Sequence, residues 1–190
     1  MANEGQAIAL DANNHAKMLA YLRQTRYARR DVLIYLLTVK AGMRIGSVAG
    51  LMIEDILNSD GSIKEVVILR RSITKGGKTI TAYLSHPELK AALVEYLQER
   101  GEKRVGNLIV SQKGSAFSPN SLSQLMLKHY KNAGIEGASS HSGRRTAITN
   151  WLKNGGDIVA VSKLAGHSSI LTTQRYVYHN QEELMNLVSQ

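Results

Sequence analysis

The residues of this sequence best suited to chemistry lie near one another in the chain, between positions 141 and 176. His141 and Arg144 are three positions apart, so on a helix both side chains project from one face toward a common target. His167 then follows a glycine, and Tyr176 closes the segment Thr-Thr-Gln-Arg-Tyr. An arginine offers paired N–H donors that match phosphate oxygens, and histidines add further donors. The segment is therefore typical of a site for an anion.

Two basic residues in the N-terminal half belong to the same argument. Arg44 follows an apolar helical pattern that stops at Gly42, and Lys75 opens a Lys-Gly-Gly-Lys break between two stretches rich in Val, Ile and Thr. Taken alone, an arginine after a helix is commonly solvated or bonded to the last carbonyls, and a turn lysine commonly has no chemical role. Arg44 and Lys75 gain a functional interpretation only because they precede His141, Arg144, His167 and Tyr176 in a particular order.

In that order the residues resemble the catalytic domain of the tyrosine recombinase, or phage integrase, family. The motifs that carry the resemblance are Met43-Arg44-Ile45, His-Ser-Gly-Arg from His141, Gly-His-Ser-Ser from Gly166, and Thr-Thr-Gln-x-Tyr ending at Tyr176. The resemblance as a whole covers roughly residues 26–180, and the Thr-Thr-Gln-x-Tyr motif is its most specific part. The resemblance implies six catalytic residues: Arg44, Lys75, His141, Arg144, His167 and Tyr176.

The resemblance also implies a role for each of these residues. The two arginines hold the phosphate oxygens as charge gathers on them, and Tyr176 is the nucleophile. Lys75 protonates the departing 5′-oxygen, and His141 assists proton transfer at the nucleophile. His167 donates a hydrogen bond to the phosphate. The implied products are a 3′-phosphotyrosyl enzyme and a free 5′-hydroxyl, and no nucleotide or metal cofactor is required.

Three positions depart from the family pattern. Ser47 stands where an acidic residue is usual, three positions after the first arginine, so support for Arg44 must come from elsewhere. Gly143 replaces the usual leucine between the histidine and the arginine, and Ala165 stands where a leucine commonly precedes the Gly-His pair. We interpret the last two as differences of packing rather than of chemistry.

Rivals for two of the roles lie close by in the chain. Tyr178 is two residues from Tyr176, and Lys78 lies across the turn from Lys75. The Thr-Thr-Gln-x-Tyr register selects Tyr176 as the nucleophile. We interpret the remaining arginines of the segment, Arg145 and Arg175, as contacts to backbone phosphates or as solvated charges.

Hydrophobic periodicity predicts the elements that position these residues. One helix is expected from Arg26 to Gly42, ahead of Arg44, and a short helix over 46–51. Two strands, 64–74 and 78–85, are expected on either side of the turn that carries Lys75. The fold class is therefore mainly α with a small antiparallel β-sheet or hairpin, an α+β arrangement like the tyrosine recombinase catalytic domain.

Later helices begin at recognisable signals. Ser85-His86-Pro87 and Ser118-Pro119 are typical helix starts, a third helix begins near His141, and Asp157 caps a fourth. Residues 53–57 alternate only weakly, and 108–111 suggest a short strand.

The chain divides, by these patterns, into an N-terminal arm or linker remnant over 1–25, a catalytic domain over 26–180 and a C-terminal helical tail over 181–190. Family members usually carry an N-terminal helical domain that completes a clamp around DNA, so we expect a catalytic-domain fragment or a truncated member. The tail has an apolar stripe, which we expect to pack on the domain's own core.

Composition narrows the class of partner. The chain has 24 Lys and Arg against 15 Asp and Glu, a formal net charge of +9, which favours a polyanion. No apolar run approaches the roughly 18 residues of a membrane span, and the N-terminus lacks a signal-peptide pattern, so we expect a cytoplasmic protein with no membrane partner. Cys is absent and the histidines lack metal-ligand spacing, so we expect no metal.

The sequence thus predicts a site-specific recombinase or integrase domain acting on double-stranded DNA. We expect a monomer in isolation and a homotetramer on DNA in the full-length protein, because recombination holds two duplexes together. Three alternatives stay open: type IB topoisomerase-like relaxation, a catalytically inactive DNA-binding module, and an RNA-cleaving enzyme built on the histidines and Lys75.

Overall fold

A computed structural model describes residues 7–101 and 105–177, together with residues 185, 188 and 189. Within these residues the regular secondary structure consists of helices and one two-stranded sheet, which confirms the predicted fold class. In chain order the elements are α1 (Ala12–Leu22), α2 (Ala28–Val39), α3 (Ile45–Ala49), α4 (Ile53–Ile56), β1 (Val66–Leu69), β2 (Ile80–Tyr83), α5 (Pro87–Arg100), α6 (Pro119–Asn132), α7 (Ser142–Lys153), α8 (Ile158–Leu164) and α9 (Ile170–Gln174).

The strands β1 and β2 pair in antiparallel fashion, with Val66 opposite Tyr83 and Leu69 opposite Ile80. They are shorter than the sequence predicts, because a 3-10 turn over Arg71–Ile73 interrupts the first stretch. Lys75 consequently lies in a longer connection between the strands rather than beside a tight hairpin turn.

Two further elements differ from the sequence prediction. The expected N-terminal arm contains α1, whose first turn is capped by the Asp11 side chain accepting from the Asn14 amide at 2.7 Å. Met18 and Leu22, spaced one helical turn apart, are fully buried, so α1 belongs to the core rather than to a linker. Residues 53–57, where the pattern alternated weakly, form the short helix α4 instead of an extended segment.

The helix-start signals are confirmed for α5 and α6, with one change of residue. His86, rather than Ser85, occupies the N-cap of α5, and its side chain accepts from the Glu88 amide. Ser118 caps α6, and Asp157 caps α8 through two backbone amides. Residues 108–111 form only an isolated bridge, between Val110 and Ala116.

One large hydrophobic core lies around α2, nearly all of whose residues are buried. Helices α1, α3, α5 and α6 and the inner face of the sheet pack into it, and the core includes Leu33, Ile34, Val48, Leu93 and Met126. Helix α7 crosses α2 closely at Gly143, where a Cβ atom would lie 2.1 Å from Thr38 Oγ1. A leucine at this position would therefore need a different helix separation.

A second, much smaller cluster lies under the C-terminal segment. It consists of Ile148 from α7 with Val161 and Ala165 at and after α8, and Trp151, Leu152 and Tyr176 pack partly against it. The segment 141–176 thus packs against two hydrophobic clusters, one large and one small.

Most of the predicted tail, including Leu184 and Leu187, lies outside the described residues. Met185 and Val188 are described, and their side chains are 64% and 89% exposed. For these two residues the expected packing on the domain's own core is therefore wrong. None of the helices within the described residues has the length and hydropathy needed to cross a bilayer.

Candidate active site

Arg44 occupies the N-cap position of α3, directly after the turn that ends α2. It is half-buried, and burial lowers the pKa of its guanidinium, an effect that the charge of Tyr176 opposes. Within residues 7–101 and 105–177, no protein acceptor is hydrogen-bonded to its five N–H donors. Arg44 is therefore held in place by its backbone while its donors stay available to a ligand.

Arg144 lies on α7 and is only 8% exposed. Its two terminal nitrogens donate to the carbonyl oxygens of Gly42 and Ala165. Burial lowers the pKa of Arg144 to about 10, with a further contribution from the charge of Arg44 and an opposing one from Tyr176. The side chain therefore ties the turn before Arg44 to the turn before His167 and remains positively charged at neutral pH.

His167 follows Gly166, which has φ of +59°, a left-handed conformation that glycine adopts without strain. A Cβ atom on Gly166 would lie 2.7 Å from Ile80 Cδ1, so β2 packs directly against this turn. The Nδ1 atom of His167 lies 2.9 Å from Thr173 Oγ1. Burial lowers the pKa of His167 to about 4, and the charges of Arg144 and Arg44 act in the same direction. The imidazole is thus neutral at pH 7.

Tyr176 lies just after α9, and its backbone amide donates to the Thr173 carbonyl at 3.0 Å. Its ring stacks on that of His167, with centroids 5.8 Å apart and planes inclined by 20°. The guanidinium carbon of Arg145 lies 5.3 Å from the centroid of the same ring. The Tyr176 side chain is therefore oriented by contacts on its ring.

The structure thus brings together four of the six predicted residues: Arg44, Arg144, His167 and Tyr176. The other two are exposed. Lys75 lies in the connection between the strands and makes no hydrogen bond or ion pair with any described residue. His141 is the N-cap residue of α7, and its backbone amide donates to Ser139 Oγ at 3.2 Å.

The expectation that His141 and Arg144 project from one face of a helix is only partly correct. Helical spacing of three assumes that both residues lie within the helix, whereas His141 precedes the first helical residue of α7. Arg144 points into the protein, and His141 is exposed to solvent. The two side chains share one end of α7 without sharing a buried face.

Sequence reasoning assigned no role to Thr173 and did not identify the partner of Ser47. Thr173 is fully buried and contacts the His167 ring, and the only sequence signal for it is its place in the Thr-Thr-Gln-x-Tyr motif. The guanidinium of Arg145 also faces the Tyr176 ring, and its interpretation as a phosphate contact or solvated charge stays a prediction. Ser47 donates its hydroxyl to the Ile73 carbonyl at 2.8 Å, a long-range contact that spacing does not reveal.

This arrangement offers two guanidinium groups, a neutral imidazole and a phenol. Guanidinium groups bind the oxygens of a tetrahedral anion through paired N–H donors. Cations near a phenol favour its ionised form, which is the nucleophilic one. Among the described residues, no group of three or more His, Asp or Glu side chains is placed to hold a metal ion. The side chains present suit anion binding and nucleophilic attack by a tyrosine.

Comparison with known proteins places these residues in a family. The profile of the phage integrase family matches residues 9–183. Tyrosine recombinase XerC of Pelobacter propionicus is 29% identical over 166 residues, which cover 86% of this chain and 52% of that protein. The chain thus spans about half the length of this relative.

Solved structures share the fold. The crystal structure of XerA recombinase superposes with a TM-score of 0.74 at 24% identity, covering 97% of this chain and 65% of the other. The Tn1549 transposon integrase, solved in complex with transposon right end DNA, gives a TM-score of 0.73 at 15% identity, covering 100% of this chain and 68% of the other. With the family profile spanning nearly all of the sequence, the chain belongs to the phage integrase family of tyrosine recombinases.

Proposed function

We propose that this chain is the catalytic domain of a site-specific DNA recombinase that cleaves and rejoins strands through a 3′-phosphotyrosyl intermediate. The observation that carries the proposal is the grouping of Arg144, His167 and Tyr176: Arg144 donates to the carbonyls of Gly42 and Ala165, each two residues before Arg44 or His167, and the Tyr176 ring stacks on that of His167. A tyrosine grouped with two arginines suits attack on a phosphodiester, because guanidinium groups bind the phosphate oxygens and stabilise the charge that gathers on them.

The proposed cleavage step exchanges one phosphoester bond for another. The Tyr176 oxygen forms a bond to phosphorus while the bond from phosphorus to the 5′-oxygen breaks, and the electron pair of that bond leaves on the 5′-oxygen. Lys75 donates a proton to the departing oxygen, and His141 accepts the proton that the tyrosine gives up. Rejoining runs the same exchange in reverse, so the reaction needs no external energy source.

His167 acts in this proposal as a neutral hydrogen-bond donor to the phosphate. Its pKa of about 4 keeps the ring uncharged at neutral pH. If the Thr173 hydroxyl donates to Nδ1, the proton of the imidazole lies on Nε2 and is free to reach a phosphate oxygen. Two charged donors and one neutral donor then surround the anion.

Double-stranded DNA is the proposed partner. The net charge of +9 favours a polyanion, and the Tn1549 integrase, which shares this fold, was solved with transposon DNA. We expect the chain alone to be monomeric, to bind DNA weakly and to lose affinity steeply with salt, because phosphate contacts dominate. Recombination by the full-length protein requires a homotetramer on DNA, and its site of action is the cytoplasm.

The test is capture of a covalent intermediate. A pool of labelled duplexes with a randomised segment around a nick is incubated with the protein and separated on a denaturing gel. The nick lets the short 5′-hydroxyl fragment diffuse away, so cleaved complexes accumulate as a protein–DNA band. We expect the band with the wild-type chain and not with Tyr176→Phe, while DNA binding is retained.

The matched control is Tyr83→Phe, a change to an exposed tyrosine of β2, which should leave the band intact. Absence of a band with the wild-type chain, or its survival in Tyr176→Phe, contradicts the proposal. Relaxation of a supercoiled plasmid by the isolated chain, without strand exchange, points to the topoisomerase-like alternative.

A further inference from the structure

The connection between β1 and β2, residues 70–79, is here named the Lys75 loop. Its tip is open to solvent: Gly76 and Gly77 both have positive φ, and a Cβ atom on either would meet no other atom within 4 Å. A general acid must nevertheless stand within hydrogen-bond reach of the oxygen that it protonates. The contacts at the base of the loop therefore decide where the Lys75 ammonium can reach.

The first contact joins the loop to the helix that follows Arg44. Ser47 lies on α3, is 3% exposed and donates its hydroxyl to the carbonyl of Ile73 at 2.8 Å. The Ile73 side chain packs on the same helix end, where a Cβ atom on Gly50 would lie 2.4 Å from Ile73 Cγ2. The residue two positions before Lys75 is thus fixed to α3 through both its carbonyl and its side chain.

Other contacts close the base of the loop. The Thr74 hydroxyl lies 2.5 Å from the Lys78 carbonyl, which links the two sides of the loop around Lys75. Arg70, where the loop begins, binds the Asp55 carboxylate through two nitrogens and donates to the Gly50 carbonyl at 2.7 Å. These contacts hold the backbone on both sides of Lys75 close to the residues that Ile73 fixes.

The far side of the loop reaches the turn that carries His167. The Lys78 ammonium lies 3.2 Å from Ser168 Oγ, although both groups are exposed. Ser47, by contrast, is buried, and its hydrogen bond to the Ile73 carbonyl is partly shielded from water, so breaking it costs more than breaking a fully exposed contact. The contact through Ser47 is accordingly the more durable of the two.

We propose that Ser47 is a positioning residue for Lys75. Its hydroxyl holds the Lys75 loop against α3, the helix that follows Arg44, so that the side chains of Lys75 and Arg44 reach the same phosphate. The proposal rests on the proposed function, in which Lys75 protonates the leaving oxygen. It also gives a chemical reason for a hydroxyl at position 47, because an ionised carboxylate accepts hydrogen bonds but cannot donate one to a carbonyl.

The test separates protonation of the leaving oxygen from all other effects of Ser47 on the cleavage rate. Two duplexes of one cleavable sequence, recovered from the pool described above, are compared, one with the ordinary 5′-oxygen and one with a 5′-bridging sulfur at the cleaved bond. A thiolate leaves without a proton, because a thiol's pKa of about 8.5 is far below that of an alcohol. Loss of the general acid therefore slows cleavage of the oxygen substrate selectively.

We expect Ser47→Ala to slow cleavage of the oxygen substrate by about tenfold, the scale of one lost hydrogen bond, and to change cleavage of the sulfur substrate by less than about twofold. Ser47→Thr, which keeps the hydroxyl, should restore most of the rate. In the Lys75→Ala background, Ser47→Ala should have no further effect on the oxygen substrate, because the group that it positions is gone.

A matched control removes a hydroxyl elsewhere. Thr25 lies between α1 and α2 and donates its hydroxyl to the Leu22 carbonyl at 2.9 Å. Thr25→Ala should alter the two cleavage rates by the same factor, whatever it does to stability.

Equal slowing of both substrates by Ser47→Ala would overturn the proposal and make Ser47 a support of the fold or of Arg44. The outcomes for the proposed function are distinct. If Lys75→Ala is not rescued by the sulfur substrate, the general-acid role itself fails. If Lys75→Ala is rescued and Ser47→Ala shows no selectivity, only the positioning role of Ser47 fails.

Discussion

The two arginines and the tyrosine stand on supports of very different size. Arg44 follows α2 and begins α3, both packed in the large core. Within the part of the chain that the structure describes, His167 and Tyr176 lie over a cluster with three fully buried members, Ile148, Val161 and Ala165. Arg144 joins the two regions through the carbonyls of Gly42 and Ala165. The proposed phosphate-binding residue Arg44 is therefore preorganised by the main core, while among the described residues the segment of the proposed nucleophile is joined to that core through Arg144.

This difference suits the proposed reaction, which runs in both directions. Groups that stabilise charge act best when they need not move during the reaction. A nucleophile that becomes attached to DNA benefits from a segment that opens locally at low cost, and segments with few buried contacts open most easily. The predictions below probe the two supports separately.

Replacing the arginines by lysine should have the largest effect and should distinguish their roles. Lysine keeps the charge but loses the paired donors, so we expect either Arg44→Lys or Arg144→Lys to slow DNA cleavage by at least about a hundredfold. Arg144→Lys should also destabilise the fold, by about 1.5–3 kcal/mol for each charged hydrogen bond lost to a backbone carbonyl. Arg44→Lys should leave stability nearly unchanged. Urea denaturation alongside cleavage kinetics measures both effects, and equal destabilisation by the two variants would contradict the assigned bridging role of Arg144.

A smaller effect is expected at the residue that orients His167. Thr173→Val keeps the shape of the side chain but removes the hydroxyl next to Nδ1, so we expect a roughly tenfold slower cleavage, the scale of one hydrogen bond. Thr173→Ser should recover most of that loss. Single-turnover cleavage rates measure it, and an unaffected rate in Thr173→Val would remove the orienting role.

Matched truncations test the unequal cores directly. Val161→Ala in the small cluster and Val48→Ala in the main core remove the same atoms from fully buried sites. We expect Val48→Ala to lower the global free energy of unfolding by about 1–3 kcal/mol, and Val161→Ala to act mainly by increasing local opening of residues 158–177. Amide hydrogen exchange read by mass spectrometry separates the two. Uniformly faster exchange over the whole chain in Val161→Ala would show that the cluster is part of one cooperative core.

The smallest effect concerns pH. The pKa of His167 is about 4 in the folded protein, below the ordinary value of 6.5, so the unfolded chain binds more protons between these limits. Its contribution to stability is complete above 6.5 and is lost as pH falls toward 4. The melting temperature should therefore drop less in His167→Gln than in the wild type between about pH 7.5 and about pH 5. Identical drops would contradict the lowered pKa.

The sequence predicted the four clustered site residues because each lies in a short motif whose spacing survives folding. It predicted α2 from apolar periodicity, and α5 and α6 from periodicity together with capping residues. It missed α1, because a polar segment rich in small residues conceals the spacing of Met18 and Leu22. The contacts of Ser47 with Ile73 and of Thr173 with His167 were beyond reach, since the choice of hydrogen-bond partner depends on the tertiary fold.

The central claim, that Tyr176 attacks a phosphate held by Arg44 and Arg144, is tested most directly by locating the covalent bond. The trapped protein–DNA complex is digested with nuclease and protease, and the peptides that retain a nucleotide are sequenced by mass spectrometry. We expect a single modified position, Tyr176, with the nucleotide attached through its 3′-phosphate. Modification of Tyr178 or another residue, or attachment through a 5′-phosphate, would contradict the account.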